Sequence, residues 1–460
     1  MWQNLRWEIN AKFKEKIHRH VSSFQVIILG FMLVILLGSL CLTLPLATRD
    51  GQGASFLDAL FTSTSAVCVT GLVLHDTASY WSMFGQAVIL FLIQIGGMGV
   101  VTVSVAVAIF SGRKISLMQR STMRESISAP QVGGIVRMTE FILKTVFLVE
   151  LLGAVAMAPV FVRDFGFLKG VWYAMFHSIS AFCNAGFDLM GETGAFSSLT
   201  GYVGDPLVNL VICLLIVVGG LGFLTWHDVA AHGRHVSQYR LQSKLILLTT
   251  LALLVGGFLF FRFYEFSRPQ WAALTGGERG LAALFQSVSP RPAGFNTVDL
   301  TQLSACSQLM TILLMLAGGS PGSTAGGFKT TTLAVLLLSV GAVIRRQGSA
   351  RCFGRRLPDQ VLRNACAIFL LYLVLFLAGG MLICCMDEIP LMQALFEAAS
   401  AIGTVGLSLG ATAEASEASR LILIFLMLFG RVGGLTMIYA MAAGSNGASS
   451  QYPQEQVTVG

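Results

Sequence analysis

A short phrase recurs four times along the chain: FTSTSAVCVTGL from Phe61, FHSISAFCNAGF from Phe176, FQSVSPRPAGF from Phe285 and FEAASAIGTVGL from Phe396. Each copy closes on a glycine followed by an apolar residue. These glycines, Gly71, Gly186, Gly294 and Gly406, stand 115, 108 and 112 residues apart by subtraction. Self-similarity at a near-fixed period marks an array of one structural unit. Four units in one chain suffice to close a ring about a single axis. Any fold for this chain has to put four like pieces in like surroundings.

The composition says what surrounds them. Hydrophobic residues make up 55% of the chain and charged residues only 12%, against about 25% charged in a soluble domain. Apolar stretches of the roughly 17–25 residues that cross a bilayer lie near 24–46, 84–110, 138–162, 204–226, 244–263, 303–342, 364–386 and 418–443. The expectation is an all-α integral membrane protein with eight spanning helices, two per unit, and a half-length re-entrant helix between the members of each pair. The units run 21–112, 137–230, 244–343 and 363–445. Linkers 113–136, 231–243 and 344–362 join them, with an N-terminal segment 1–20 and a tail 446–460.

Charge orients the array, because basic residues collect on the cytoplasmic side. Arg6 to Arg19, Arg113 to Arg137, Arg234 to Lys244 and Arg345 to Arg363 hold 19 of the 30 basic residues. The linkers and both termini are therefore expected in the cytoplasm. The net charge of +7 reflects topology and contact with anionic lipid rather than nucleic-acid binding. No cleavable signal peptide is evident, since the first apolar span follows a basic segment and runs on into the first unit. The nine cysteines follow neither a metal spacing nor a disulfide framework. Cys68 and Cys183, each three residues before its glycine, read as small packing residues.

Within each unit a stretch at 55–67, 168–182, 278–289 or 390–402 has helical apolar spacing but is too short to span. Each is expected to descend as a short helix and return as extended backbone. Bare carbonyls at membrane depth are tolerated only where they line a polar cavity, and a ring of carbonyls replaces the hydration shell of a cation. Glycine permits the backbone angles that aim carbonyls inward. Thr404-Val405-Gly406 matches the start of the TVGYG potassium filter. Val69-Thr70-Gly71, Asn184-Ala185-Gly186 and Pro292-Ala293-Gly294 do not, which a filter built from backbone tolerates. Ordinary turn glycines are the alternative.

On these units, on LFTSTSAVCVTGL with GQAVILFLIQIGGMG and on the glycine-rich break described next, the chain resembles the superfamily of KtrB, TrkH and HKT potassium transporters across nearly its whole length. The first loop directly follows the first span and the chain ends YPQEQVTVG, so the KtrB type is the nearer likeness. The resemblance implies a bacterial cell-membrane potassium uptake protein, a homodimer with one pore per subunit. It also implies a separate cytosolic ring, of the KtrA or TrkA kind, that binds a nucleotide (ATP, ADP or NAD(H)). No cofactor is expected on this chain. Potassium is the expected transported ion, held at the filter alone, with sodium as a coupling or stimulating ion.

Glycines also recur inside the second long helix of each unit: Gly96-Gly97, Gly219-Gly220, Gly318-Gly319 and Gly430-Arg431. In the first two units the pair reads as close helix packing. The third unit is different. Its run from Ala317 through Gly318, Gly319, Ser320, Pro321, Gly322, Ser323, Thr324, Gly326 and Gly327 to Phe328 is not expected to stay helical, and its hydroxyls are available to the freed backbone groups. The family's intramembrane loop implies a gate here, against a passive packing kink. A phosphate-binding loop is excluded, because Phe328 interrupts the Gly-Lys-Thr order and no strand precedes it. Arg431 is a costly charge inside a span. By resemblance it opposes cations near the loop, and a structural ion pair is the alternative. Lys329 is either a second cavity charge or a side chain snorkelling to the cytoplasm.

Asp76, Asp188 and Asp299 follow their glycines by five, two and five residues. They either concentrate cations at an outer mouth or cap the next helix. Glycine at all four loop positions favours potassium, since serine at the first goes with sodium permeation in the resembling family. Sodium or mixed-cation uptake remains the second reading. An enzyme is excluded by the lack of a partner cluster for His177 or for His227-Asp228.

Overall fold

The computed structural model describes residues 22–111, 115, 117–127, 134–192 and 194–442. The expected N-terminal segment, the tail and the basic residues Arg113 and Lys114 lie outside them.

Among the described residues, four helices are long and apolar enough to cross a membrane: α1 (Ser23–Leu42), α6 (Ile135–Phe165), α10 (Leu241–Phe260, running on to Glu265) and α14 (Asp359–Asp387). Each is followed by a shorter helix, α2 (Phe56–Val67), α7 (Phe167–Phe182), α11 (Gly276–Val288) or α15 (Leu391–Gly403), that bears one copy of the recurrent phrase. Local chemistry sets their starts. Ser22 and Gln25 form a capping box on α1, Thr275 and Glu278 form one on α11, and Ser55 accepts from Asp58 N on α2. These bonds satisfy amides that the helix leaves without partners. Pro358 and Pro390 sit at the N-cap positions of α14 and α15.

A third set completes the units: α3 (Met83–Met98) with α4 (Val100–Phe110), α8 (Pro206–Gly220) with α9 (Phe223–His232), α12 (Ala305–Leu316) with α13 (Thr330–Ile344), and α16 (Glu417–Val432) with α17 (Gly434–Ala442). Here the structure corrects the expectation. The first, second and fourth units are expected from sequence to carry one continuous second helix, with the glycine pairs of the first two serving packing. Instead the chain turns by 93° between α3 and α4, 98° between α8 and α9, and 93° between α16 and α17. The turns fall at Gly99, Gly222 and Gly433, with φ of 85°, 91° and 90°. Those angles are strained for any residue with a β-carbon. The packing role also holds. A β-carbon on Gly96 would run into the carbonyl of Val67, one on Gly219 into that of Phe182, and one on Gly430 into that of Ile402. The second long helix is thus broken in all four units, and in the third the break is a loop, 317–329.

The units meet in one repeating way. Each long helix packs on the short helix after it: α1 on α2, α6 on α7, α10 on α11 and α14 on α15. Each third helix then packs on the short helix of the next unit: α3 on α7, α8 on α11, α12 on α15, and α16 back on α2. The last contact closes a ring, which Arg420 of α16 and Asp58 of α2 latch with a 2.8 Å ion pair. Small residues let the helices approach, as in lipid-embedded bundles. A β-carbon on Gly38, Gly153 or Gly257 would lie 2.5, 2.5 or 2.7 Å from the hydroxyl of Ser63, Ser178 or Ser287.

The connectors carry structure of their own. Helix α5 (Leu117–Ser126) lies between the first two units, and a hairpin of β1 (Arg351–Cys352) and β2 (Arg355–Arg356) between the last two.

Candidate functional site

The four loop glycines form a closed ring. A β-carbon on Gly71 would meet the carbonyl of Ala185, and one on Gly294 that of Val405. One on Gly406 would meet that of Thr70, and one on Gly186 would lie 2.6 Å from that of Ala293. Every glycine therefore faces the carbonyl that precedes the next glycine, in the order first, second, third, fourth and back to first. The φ values are 91°, 69°, 84° and 95°, all left-handed.

Two residues earlier, Val69, Asn184 and Thr404 also have positive φ, of 57°, 59° and 51°. That is uncommon without glycine and strained for a β-branched side chain. The third unit reaches the ring differently. Proline cannot adopt such an angle, Pro292 holds that place, and the loop from serine to glycine is one residue shorter there.

One device holds the strain in all four units. The residue before each glycine donates its amide to the carbonyl of the fifth residue of the phrase: Thr70 to Ser65 at 2.8 Å, Ala185 to Ser180 at 2.7 Å, Ala293 to Ser289 at 2.8 Å and Val405 to Ser400 at 2.8 Å. The serine hydroxyls finish the clamp. Ser65 and Ser400 accept from the amides of Gly71 at 3.1 Å and Gly406 at 2.9 Å. Ser180 and Ser289 donate to the carbonyls of Phe187, at 2.7 Å, and Phe295.

A second serine anchors the short helix to the long one. Ser63 donates to Ile35 at 2.7 Å, Ser178 to Glu150 at 2.6 Å and Ser287 to Leu254 at 2.6 Å. The fourth copy has Ala398 at that place. Sequence reasoning quoted these serines without using them. Their recurrence at fixed offsets in the aligned phrases was the signal.

Above the ring is a cavity of about 370 Å³ whose lining includes all four glycines with Asp76, Asp188, Asp299 and Glu414. The aspartates both face this cavity and make capping bonds. Asp76 accepts from the amides of Ala78 and Ser79, and from Phe196 at 3.1 Å across units. Asp188 accepts from Met190 at 3.0 Å, and Asp299 from Thr301 at 3.0 Å. Around the ring, Thr70 Oγ1, Asn184 Oδ1 and Thr404 Oγ1 are buried without hydrogen-bond partners. Buried oxygens without donors suit a desolvated cation better than they suit an apolar core.

Below the ring the break loop bonds to the second and fourth units. Ser320 donates its amide to Gly220 at 3.1 Å, Thr324 to Gly219 at 3.3 Å and Gly327 to Gly430 at 3.0 Å. Inside the loop, Ser323 donates to Ser320 O at 2.7 Å, and Ser320 and Thr330 share a hydroxyl bond at 3.2 Å. The Ser323 hydroxyl thus satisfies a backbone carbonyl freed by the break. Gly318 and Gly319 pack against the loop's own backbone and Ala325, while Gly326 lies against the Thr404 side chain. Pro321 and Gly322 turn over Gly222, and Gly322 abuts the carbonyl of Ile127 after α5.

Arg431 makes no ion pair among the described residues. It donates to the carbonyls of Thr324 and Gly96, and to Gly97 at 3.3 Å, tying the loop to the first unit. Lys329 does not snorkel away either. Its Nζ donates to Ala325 O at 2.9 Å and Gly326 O at 3.2 Å. Both cations line a second cavity of about 310 Å³ beneath the loop.

His177 is fully buried, with Nδ1 on Tyr173 O at 2.7 Å and Nε2 accepting from Leu189 N at 3.3 Å. No group of three or more metal-ligating side chains occurs among the described residues.

The family model described as TrkH, cation transport protein, matches residues 9–452. The chain belongs to that family. The TrkH family is one of ion transporters and not of enzymes, and with its long apolar helices this member is an integral membrane protein. Among relatives, it is 37% identical to the potassium/sodium uptake protein NtpJ of Enterococcus hirae, over 97% of this chain and 99% of that one. It is 36% identical to the Ktr system potassium uptake protein B of Bacillus subtilis, over 95% and 96%. The crystal structure of the potassium transporter TrkH from Vibrio parahaemolyticus superposes with a TM-score of 0.68 over 90% of this chain and 83% of that one. At 21% identity this last likeness speaks to the fold.

Proposed function

We propose that this TrkH-family chain is the potassium-conducting translocation subunit of a bacterial uptake system. The observation that carries this is the ring in which Gly71, Gly186, Gly294 and Gly406 each face the carbonyl before the next glycine. Carbonyl dipoles converging at membrane depth offer a cation oxygen ligands in place of water. On this reading, four helix–loop–helix units of two spans each, 21–112, 137–230, 244–343 and 363–445, surround one pore. Residues 69–71, 184–186, 292–294 and 404–406 are its filter. Asp76, Asp188 and Asp299 raise the cation concentration at the outer mouth. The loop from Gly318 to Gly327, with Lys329 and Arg431, is the gate in series below it.

The cell-membrane location, with linkers and termini cytoplasmic, rests on the asymmetry of basic residues. A homodimer partnered by a separate cytosolic nucleotide-binding ring follows from the Ktr likeness, and two relatives are named as Ktr system proteins. Such a ring fits a chain whose described residues include no strand-rich nucleotide domain. The deciding experiment measures potassium and sodium flux into liposomes holding the purified chain. Potassium flux well above sodium flux is expected, and equal flux of the two removes the filter assignment.

Sodium or mixed uptake is the second reading, favoured by a relative named for both ions. In the same assay it appears as sodium flux that competes with potassium.

A further inference from the structure

We infer that the chain binds a single small anion of chloride size between Arg291 and Thr250, behind the third loop. Arg291 directly precedes Pro292-Ala293-Gly294, and both it and Thr250 are more than nine-tenths buried. A guanidinium carries five N–H donors and no acceptor. Here its side chain makes one long bond, Nη1 to Thr250 O at 3.4 Å. Its Nε has no partner, and neither does Thr250 Oγ1. Both side chains line one cavity, which Ile216, Leu254 and Val288 otherwise wall with apolar groups. Among the described residues no carboxylate pairs with Arg291.

A buried charge persists only when something compensates it. Among the described residues Arg431 has three carbonyl acceptors, whereas the Arg291 side chain has only the distant carbonyl of Thr250. Water accepts too few of these donors and leaves the charge unneutralised, whereas an anion does both.

Size and depth narrow the occupant. About 10 Å³ of the cavity is open to the centre of a water-sized sphere, room for one compact particle and too little for phosphate, sulfate or carboxylates. Thr250 is the tenth residue of the 25-residue span Leu241–Glu265. At 1.5 Å per residue that is about 14 Å into a core of about 30 Å, too deep for a lipid headgroup. A monatomic anion remains. It donates nothing, accepts from Arg291 Nε and Thr250 Oγ1 together, and screens from the neighbouring loop a charge that would otherwise repel cations there.

The test uses the full chain, with bromide as the heavy-atom probe for the anion and potassium held constant throughout. In crystals grown in bromide, an anomalous peak is expected between the Arg291 guanidinium and Thr250 Oγ1. Thr250→Val should lower that peak several-fold while leaving the fold intact. In detergent, exchanging gluconate for chloride should raise the unfolding midpoint by about 2 °C in the parent and by less than half of that in Thr250→Val. Bromide peaks only elsewhere on the molecule would overturn the proposal, as would an equal chloride response in the two proteins. Neither measurement reads cation flux, so the anion site stands or falls apart from potassium conduction.

Discussion

Asn184 Nδ2 donates to Thr324 Oγ1 at 2.8 Å, and that hydroxyl donates in turn to the carbonyl of Phe182 at 3.1 Å. Asn184 belongs to the ring, two residues before Gly186. Thr324 lies in the middle of the break loop, more than a hundred residues away. Ring and loop are therefore joined by a side-chain bond within the buried interior.

That bond gives the first prediction. Thr324→Val should loosen the loop and raise potassium flux. A double-mutant cycle of Asn184→Ala with Thr324→Val, read by thermal stability, should return a coupling of about 0.5–3 kcal/mol. Additive effects would mean that the contact carries no coupling between ring and loop.

Gly71→Ser and Gly406→Ser should weaken discrimination of potassium against sodium. Their β-carbons would press on the carbonyls of Ala185 and Thr70 at φ of 91° and 95°, a backbone strain of about 1–3 kcal/mol. Relative uptake of the two ions in liposomes is the measurement. An unaltered ratio in both variants would sink the filter assignment.

Shortening the loop between Gly318 and Gly327 should raise potassium flux, because the proposed barrier lies in series with the ring. Arg431→Ala should act in the same direction, since it removes an opposing charge and three bonds to loop and first-unit carbonyls. Arg431→Lys, which keeps the charge but not the fork of donors, should fall between parent and alanine. Folded variants that carry no more potassium than the parent would make the loop a packing element.

Glu397 of α15 is fully enclosed and accepts from Ser408 Oγ at 2.7 Å, Leu409 N at 2.9 Å and Thr412 Oγ1. It fixes the segment that leaves the fourth loop. Glu397→Ala strands three donors, of which Leu409 N and Thr412 Oγ1 belong to buried residues, and should cost about 2–5 kcal/mol, whereas Glu397→Gln keeps an acceptor and should cost less. Unfolding in detergent decides between them, and equal loss in the two variants would rule out the hydrogen-bond account.

Charge reversal at Arg355 and Arg356 should weaken association with the proposed cytosolic ring while leaving the pore folded. Both are exposed on the hairpin β1–β2, Arg356 lying 3.7 Å from Asp359 in a surface ion pair, and both are accessible to an acidic surface. Co-purification and flux together give the readout. A nucleotide that altered the flux of the chain alone would locate regulation here and end the two-subunit model.

The sequence by itself determined the parts. Apolar length marked the long helices, and four phrases with one glycine each marked the short helices and loops. These are local properties, written in single uninterrupted stretches of the sequence, and the physics that reads them needs no distant neighbour. Gly96-Gly97 and Gly219-Gly220 show where such reading stops. A glycine pair looks the same whether it admits a neighbouring backbone or precedes a right-angle turn, and here it does the first while Gly99 and Gly222 do the second. Arg431 is similar, since its position in a span predicts a partner but not which one. Only the tertiary structure decided that it binds the carbonyls of Gly96 and Thr324, that Asp76 holds Phe196, and that Ser65, Ser180, Ser289 and Ser400 clamp the ring. Each of those bonds, the last set apart, depends on a backbone group brought from another unit. A carbonyl carries no sequence signature, so its choice of partner exists only once the four units have closed on one another.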